Sequence, residues 1–250
     1  MQLEGKVAII TGAGRGIGRE YSLGLSKEGA TVVIAEIDTE NGQKVAEEVN
    51  ELGGDATFLH LDLALEESCL EVARRTVELY GKIDILVNNG AIYHSMRHDT
   101  FTTVSLEYFN HFMSVNVTGQ MLMTRAVVPS MKETGKGKII FQSSGAAYVA
   151  GSSPYCLSKL AVVGLARGFA SELGPFGINV NCIAPGPINT EATLTTVPQE
   201  ILDSLVAKMP LRRMGTPNDL IGALVFLASE ASDFMTGQTL LIDGGEDHRL

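Results

Sequence analysis

Lys6-Val-Ala-Ile-Ile-Thr11 runs directly into Gly12-Ala-Gly-Arg-Gly-Ile-Gly18, and this junction decides the fold. The first segment is short, apolar and β-branched with no polar face, the pattern of a strand buried on both sides. The glycines then mark a turn into a helix spanning Gly16–Glu28, closed by Gly29. A helix that opens beyond such a turn presents free amides and the positive end of its dipole, so the junction is a phosphate site in kind. Gly12 permits the tight turn, Gly16 lets a pyrophosphate approach the backbone, and Gly18 lets helix and strand pack closely. The spacing is G-x-x-x-G-x-G rather than the commoner G-x-G-x-x-G.

Outward from this junction the same alternation repeats. Thr31–Ala35, Ala56–His60 and Ile83–Val87 read as strands, and Thr39–Leu52 and Leu65–Tyr80 as the helices between them, with Gly53-Gly54 and Gly81 at the helix ends. A long helix near Ser105–Met131, a strand at Lys138–Gln142, a helix at Pro154–Leu173 and strands at Asn179–Ile183 and Gln238–Asp243 complete the series. Buried strands joined by crossover helices mean an α/β fold, a doubly wound seven-stranded parallel sheet of Rossmann type with helices on both faces. No linker or low-complexity stretch divides the 250 residues, so 1–250 reads as one domain. One segment breaks the rhythm. Pro185-Gly186-Pro187 opens an irregular stretch to about Gly215 with a single expected helix, Pro198–Lys208, and residues of about 186–215 read as a lid over a pocket.

Composition narrows the partners. At 45% apolar and 19% charged residues the chain resembles an ordinary globular protein, and no apolar run approaches a membrane span, Leu220–Ala228 being too short. The N-terminus lacks the basic and apolar regions of a signal peptide, so a cytoplasmic protein is expected. A net charge of −10 opposes nucleic acid and anionic membranes and suits a small-molecule partner. Cys69, Cys156 and Cys182 form no C-x-x-C pair, and His60, His94, His98, His111 and His248 are scattered without cysteine at ligand spacing, so no metal site is expected.

Several residues then cluster at the strand ends. Glu36, eighteen residues beyond Gly18, ends the second strand where a carboxylate can accept both hydroxyls of an adenosine ribose and repel a 2′-phosphate. Arg15 pulls the other way, since a guanidinium beside the turn could pair with that phosphate. A desolvated like-charge contact outweighs an optional arginine contact, which favours NAD over NADP. Asp62 follows the third strand, placed either to receive the adenine amino group or to cap the next helix. Asn88-Asn89-Gly90-Ala91 follows the fourth with small and amide residues suited to a flat cofactor against backbone. Asn116 interrupts an apolar helical pattern, which a backbone kink or a held water would explain. Tyr155 and Lys159 share one face of a helix, where an ammonium favours phenolate and a neighbouring serine polarises a substrate oxygen.

Taken together, T-G-x-x-x-G-x-G at Thr11–Gly18, Glu36, Asn116, Y-x-x-x-K at Tyr155–Lys159 and P-G at Pro185-Gly186 resemble the short-chain dehydrogenase/reductase family over essentially the whole chain. The resemblance implies a tetrad. Tyr155 would be general acid/base, Ser144 would orient the carbonyl or alcohol, Lys159 would bind the nicotinamide ribose and lower the Tyr155 pKa, and Asn116 would position a relay water. It further implies cofactor contacts from Gly12, Arg15, Gly16, Ile17, Gly18, Glu36, Asp62, Leu63, Asn89 and Gly90, then Pro185, Gly186, Ile188 and Thr190, and a homotetramer built on the helices beginning near Ser105 and Pro154. Two departures stand out: the family's N-N-A-G is here Asn88-Asn89-Gly90-Ala91, and the Ser-to-Tyr spacing is short, with Ser144 chosen over Ser143 because it ends the strand as the second of the pair. Ser152 and Ser153 read as caps of the helix at Pro154.

The activity expected is NAD-dependent interconversion of a secondary alcohol and its ketone, with an alicyclic or aromatic substrate in a pocket of Tyr93, His94, Met96, Tyr148, Val149 and Leu194. The alternatives are reduction of a 3-oxoacyl thioester, against which the net acidic charge opposes docking of an acidic carrier, and a catalytically silent cofactor-binding protein, against which the complete tetrad argues.

Overall fold

The computed structural model describes residues 1–94, 96–149 and 151–247; His248, weighed above as a metal ligand, lies outside them. Seven parallel strands, β1 (Val7–Thr11), β2 (Thr31–Glu36), β3 (Asp55–His60), β4 (Ile85–Asn88), β5 (Gly137–Gln142), β6 (Ile178–Pro185) and β7 (Thr239–Ile242), lie in the order β3-β2-β1-β4-β5-β6-β7. The chain therefore winds outward from β1 in one direction and from β4 in the other. The crevice between their C-terminal ends is the switch point of the doubly wound sheet, the place where such folds bind ligands.

Both faces are covered, which is why the strands carry no polar alternation. One core packs α1 (Gly16–Lys27), α2 (Thr39–Glu51) and α9 (Ile221–Ala228) on Ile10, Ile34 and Ile140. The other packs α3 (Glu66–Tyr80), α5 (Gln120–Thr134) and α6 (Pro154–Leu173) on Ile9, Val33, Leu86 and Phe141. Leu220–Ala228, read from the sequence only as an apolar run, contains the whole of α9. No helix among the described residues is long and apolar enough to cross a membrane.

Three elements differ from the sequence reading. The helix expected over Ser105–Met131 is α4 (Leu106–Met113), a π-helical segment (Ser114–Gly119) and α5. The widened turn falls where the helix crosses the chain after β3: a Cβ on Gly119 would stand 2.5 Å from the Leu63 carbonyl oxygen. Second, β4 begins at Ile85, and the two residues before it fasten the start of the strand. Ile83 N donates to Ser130 Oγ at 3.1 Å, and the Asp84 carboxylate accepts from Val7 N at 2.9 Å.

Third, the stretch of about 186–215 holds two helices, α7 (Glu191–Thr196) and α8 (Gln199–Lys208). The threonine-rich α7 has poor intrinsic propensity, but Thr190 caps it, accepting from Thr193 N at 3.2 Å. Extended Val197 then separates it from α8.

Candidate active site

The glycine turn is built as its spacing suggests. Gly12 and Gly16 have φ of +63° and +53°, backbone that a side chain would strain. A Cβ on Gly12 would meet Gly90 Cα at 2.6 Å, and one on Gly18 would meet the Gly12 carbonyl and the Asn89 amide. Asn89 fixes the turn from the fourth strand, its Nδ2 donating to the Thr11 and Gly12 carbonyls at 3.0 Å each. Thr11 Oγ1 returns the favour by accepting from the Asn89 and Gly90 amides. No side chain caps α1, whose first turn opens on the crevice.

Glu36 is buried, and its carboxylate accepts from three backbone amides: Gly14 N at 2.9 Å, Ile37 N at 2.9 Å and Asp38 N at 3.1 Å. These bonds fix the charge at the end of β2 rather than at the start of α2, which Asp38 caps through Asn41 N. Arg15 pairs with the same Asp38 at 3.3 Å. Asp62 caps no helix; its Oδ1 accepts from Ala64 N in a local turn, and α3 begins after Leu65.

Tyr155 and Lys159 lie in the first turns of α6, capped by Ser153 through Cys156 N. Ser144 lines the cavity with Tyr155, and its Oγ accepts from Ala146 N at 3.2 Å. Ser143 points elsewhere, donating to the Lys159 carbonyl at 2.9 Å. Burial pushes the Tyr155 phenol well above its ordinary value, Tyr93 adds to the rise, and the neighbouring Ser144 hydroxyl opposes it. Lys159 lies beside the same ring. Its ammonium stands 5.7 Å from the Tyr155 ring centroid and donates to the Gln142 carbonyl at 2.9 Å, and burial pulls its own pKa down from 10.5 to about 8.

Asn116, fully buried in the π segment, spends its amide on one residue. Its Oδ1 accepts from Ile92 N at 2.7 Å and its Nδ2 donates to Ile92 O at 3.2 Å. It thereby holds the segment carrying Tyr93, whose ring meets that of Tyr155 at 5.4 Å between centroids.

The expected catalytic and cofactor residues other than Asn116 line one cavity of about 850 Å³. It runs from Glu36, Asp62 and Leu63, past Gly12, Arg15, Gly16, Ile17, Gly18, Asn89 and Gly90, to Ser144, Tyr155 and Lys159, with Pro185, Gly186, Ile188 and Thr190 along the opposite wall. Of the expected substrate pocket, Tyr93, His94, Met96 and Val149 line it. Tyr148 and Leu194 do not, and this corrects the sequence reading. Tyr148 follows a single helical turn, Gly145–Ala147, that presents Ala146 to the cavity instead. Leu194 lies on the outer face of α7, 51% exposed.

Sequence reasoning missed Gln142, Leu202 and Leu205 of α8, and Glu246, all of which line the cavity. Gln142 carried a signal, a polar residue closing an otherwise apolar strand. It is buried, its Oε1 accepts from the buried Tyr21 hydroxyl at 2.7 Å, and its carbonyl holds Lys159. Glu246 gave none, since it follows β7 outside any motif. No group of three histidine, cysteine or acidic residues suited to a metal occurs among the described residues.

A parallel sheet with a glycine turn at its switch point, a fixed carboxylate one strand over and a Ser-Tyr-Lys group at the far end of the same cavity defines a dinucleotide-binding oxidoreductase. Residues 12–246 match the family model described as enoyl-(acyl carrier protein) reductase. An oxidoreductase of Mycobacterium tuberculosis, itself uncharacterized, is 45% identical over 243 residues, 97% of this chain and 98% of its own. The 3-oxoacyl-(acyl-carrier-protein) reductase FabG of Thermotoga maritima is 36% identical over 247 residues, 98% of this chain and 99% of its own. The crystal structure of a short-chain type dehydrogenase/reductase from Mycobacterium marinum superposes with a TM-score of 0.91 at 35% identity, covering 99% of this chain and 98% of that one. The chain belongs to the short-chain dehydrogenase/reductase family, whose members bind NAD or NADP, and is an oxidoreductase.

Proposed function

We propose that the protein is an NAD-dependent dehydrogenase that interconverts a secondary alcohol and its ketone, with Tyr155 as general acid/base. The observation that carries this reading is that Ser144, Tyr155 and Lys159 line the end of the same cavity that begins at the glycine turn. The cradle fits a nicotinamide dinucleotide. Gly12 and Gly18 leave the turn closed on itself, the uncapped start of α1 suits a pyrophosphate, and Glu36 is already fixed where a ribose would bring hydroxyls.

When bound, the oxidised nicotinamide supplies the hydride acceptor for the carbinol carbon and a positive charge near Tyr155. In that direction Tyr155 takes the carbinol proton, and Ser144 donates to the substrate oxygen and orients it. Lys159 holds the nicotinamide ribose and adds its ammonium charge against the burial that disfavours phenolate. Asn116 works through Ile92, setting the wall on which Tyr93 meets Tyr155.

NAD over NADP is supported by Glu36, a buried carboxylate lining the cavity that would meet a 2′-phosphate with like charge, and by Asp38, which engages Arg15. The substrate wall is largely apolar, with Val149, Val197, Leu202 and Leu205, which suits an alicyclic or aromatic alcohol. The likeness to FabG supports 3-oxoacyl thioester reduction as a second reading. We also propose a homotetramer through α4–α5 and α6, supported by exposed Leu106, Leu157 and Leu160, with light scattering on the eluting protein as its check.

The test is a screen of secondary alcohols with NAD, following absorbance of the reduced cofactor, beside reduction of a 3-oxoacyl thioester. Turnover of cyclic or aryl alcohols, reduced about 10³-fold in Tyr155→Phe, is expected. A Tyr155→Phe variant that keeps most of its rate removes the proton-transfer assignment. NAD binding without any turnover leaves only a cofactor-binding role.

A further inference from the structure

A buried glutamine beside the reacting end of the cavity carries two amide donors that the proposed chemistry does not use. Gln142 closes β5, two residues before Ser144, and is 6% exposed. Strand alternation turns its side chain to the α1 face, where the Tyr21 hydroxyl donates to its Oε1 at 2.7 Å.

That contact decides which way round the amide lies. Tyr21 is fully buried, and burial pushes its phenol far above the ordinary value, so it keeps its proton. Its hydroxyl has no other acceptor among the described residues and must donate to Gln142, and of the two ends of an amide only the oxygen accepts. Nε2 is therefore turned away from the phenol. It has no partner among the described residues and is not one of the enclosed polar atoms, so it opens on the cavity that Gln142 lines. Polar groups this deeply placed are normally paired, and the cavity is where a partner for this one would stand.

The sheet indicates which part of a dinucleotide would come here. Neighbouring strands lie about 4.8 Å apart, and β5 is three places from β2 in the order β2-β1-β4-β5, so the end of β5 stands roughly 14 Å across the sheet from Glu36. An adenosine ribose at Glu36 and a pyrophosphate at the start of α1 leave the nicotinamide half to reach β5. The backbone of the same residue points to that half as well, because its carbonyl accepts from Lys159 Nζ at 2.9 Å.

We propose that Gln142 is a cofactor-binding residue whose Nε2 donates to an oxygen of the nicotinamide half of the dinucleotide. Tyr21, which does not line the cavity, is the positioning residue that keeps the amide so oriented. The inference rests on the nicotinamide dinucleotide proposed above. A neutral hydrogen bond of this kind changes affinity by about five- to tenfold.

Calorimetric titration reads the contact without turnover. The reduced cofactor, NADH or NADPH according to which the parent binds more tightly, is compared with ADP, which has an adenosine and two phosphates but no nicotinamide riboside. The double variant Tyr21→Phe/Gln142→Met removes hydroxyl and amide together, so neither is left without a partner, at similar volume. Gln142→Glu keeps an acceptor for Tyr21 and puts an oxygen in place of the amide nitrogen. The dissociation constant of the reduced cofactor should rise about five- to tenfold in the double variant and about tenfold or more in Gln142→Glu, while that of ADP moves less than about twofold. Tyr21→Phe alone leaves the amide present but free to turn over, and should weaken the reduced cofactor about two- to threefold without affecting ADP; an unmoved value would remove the positioning role. Equal losses for the reduced cofactor and ADP would reveal a structural contact only, and unchanged cofactor affinity in Gln142→Glu would show that the amide meets no cofactor; either result overturns the assignment. A parent that binds ADP but neither reduced cofactor overturns the dinucleotide reading itself.

Discussion

Replacing Lys159 by methionine should stabilise the protein as it removes a group essential to the proposed chemistry. Lys159 is 3% exposed, with the Gln142 carbonyl as acceptor for its ammonium, and burial lowers its pKa from 10.5 to about 8. At roughly 1.4 kcal/mol for each tenfold change in acidity, the charged form carries a penalty of about 3 kcal/mol. Methionine fills similar volume without the charge and forfeits one hydrogen bond worth about 1 kcal/mol. The net gain at pH 7 is about 2 kcal/mol, or about 4–8 °C in Tm for a chain of this length.

The gain should depend on pH in one direction only. Between about pH 8 and 10.5 the unfolded chain holds the lysine proton that the folded chain has released, so raising the pH stabilises the parent. By pH 9.5 roughly 2 kcal/mol of the penalty has gone, and the two proteins should melt together. Differential scanning calorimetry without added cofactor, at one protein concentration and at pH 7 and 9.5, reads both quantities. A variant less stable than the parent at pH 7, or a gap that persists at pH 9.5, would refute the burial argument.

The two adjacent serines should behave differently: Ser144→Ala is expected to lower kcat by about 10²-fold, whereas Ser143→Ala should cost about 1 kcal/mol of stability through the Lys159 carbonyl and little rate. Steady-state kinetics beside a urea titration separates them, and the reverse order would move the chemistry to Ser143. Gly90→Ala should destabilise by about 1 kcal/mol, because its Cβ would meet Leu63 Cδ1 at 2.8 Å. In a double-mutant cycle Leu63→Val should recover part of that loss; strict additivity would show that the two positions do not compete for space. Glu36→Ala should narrow the preference for NAD over NADP, measured as the ratio of kcat/KM, and an unchanged ratio would transfer that choice to Arg15 or Asp38.

What was legible in the sequence depended on short-range geometry. The glycine turn needs only the strand before it and the helix after it, and a four-residue spacing places Tyr155 and Lys159 on one helix face wherever α6 packs. Contacts between distant segments were not legible. The π segment at Ser114–Gly119 answers to Leu63, about fifty residues earlier, and nothing in the local pattern announces it. The partner of Lys159 was likewise hidden, because the Gln142 carbonyl reaches it only through packing of β5 beneath α6. The exchange of Ala and Gly after β4 was visible as a departure but not its consequence: Gly90 gives Leu63 room against Gly12 and Thr11.

The short loop between Ser144 and Tyr155 shows which kind of counting survives such change. Counting back from Tyr155 is unsafe, since loop length varies without disturbing the elements it joins. Counting forward along β5 is safe, because side chains alternate strictly across a strand. Ile139 and Phe141 pack on the face covered by α6, and Ser143 continues that series to the Lys159 carbonyl. Ile140 and Gln142 belong to the opposite series, with Ile140 in the core beneath α1 and Gln142 bonded to Tyr21 of α1. The register of the sheet thus commits Ser143 to the α6 backbone, and Ser144, just past the strand, is the serine whose hydroxyl remains for Tyr155. A shortened loop can alter the wall presented to substrate, through Ala146 and Val149, without changing which serine meets the tyrosine.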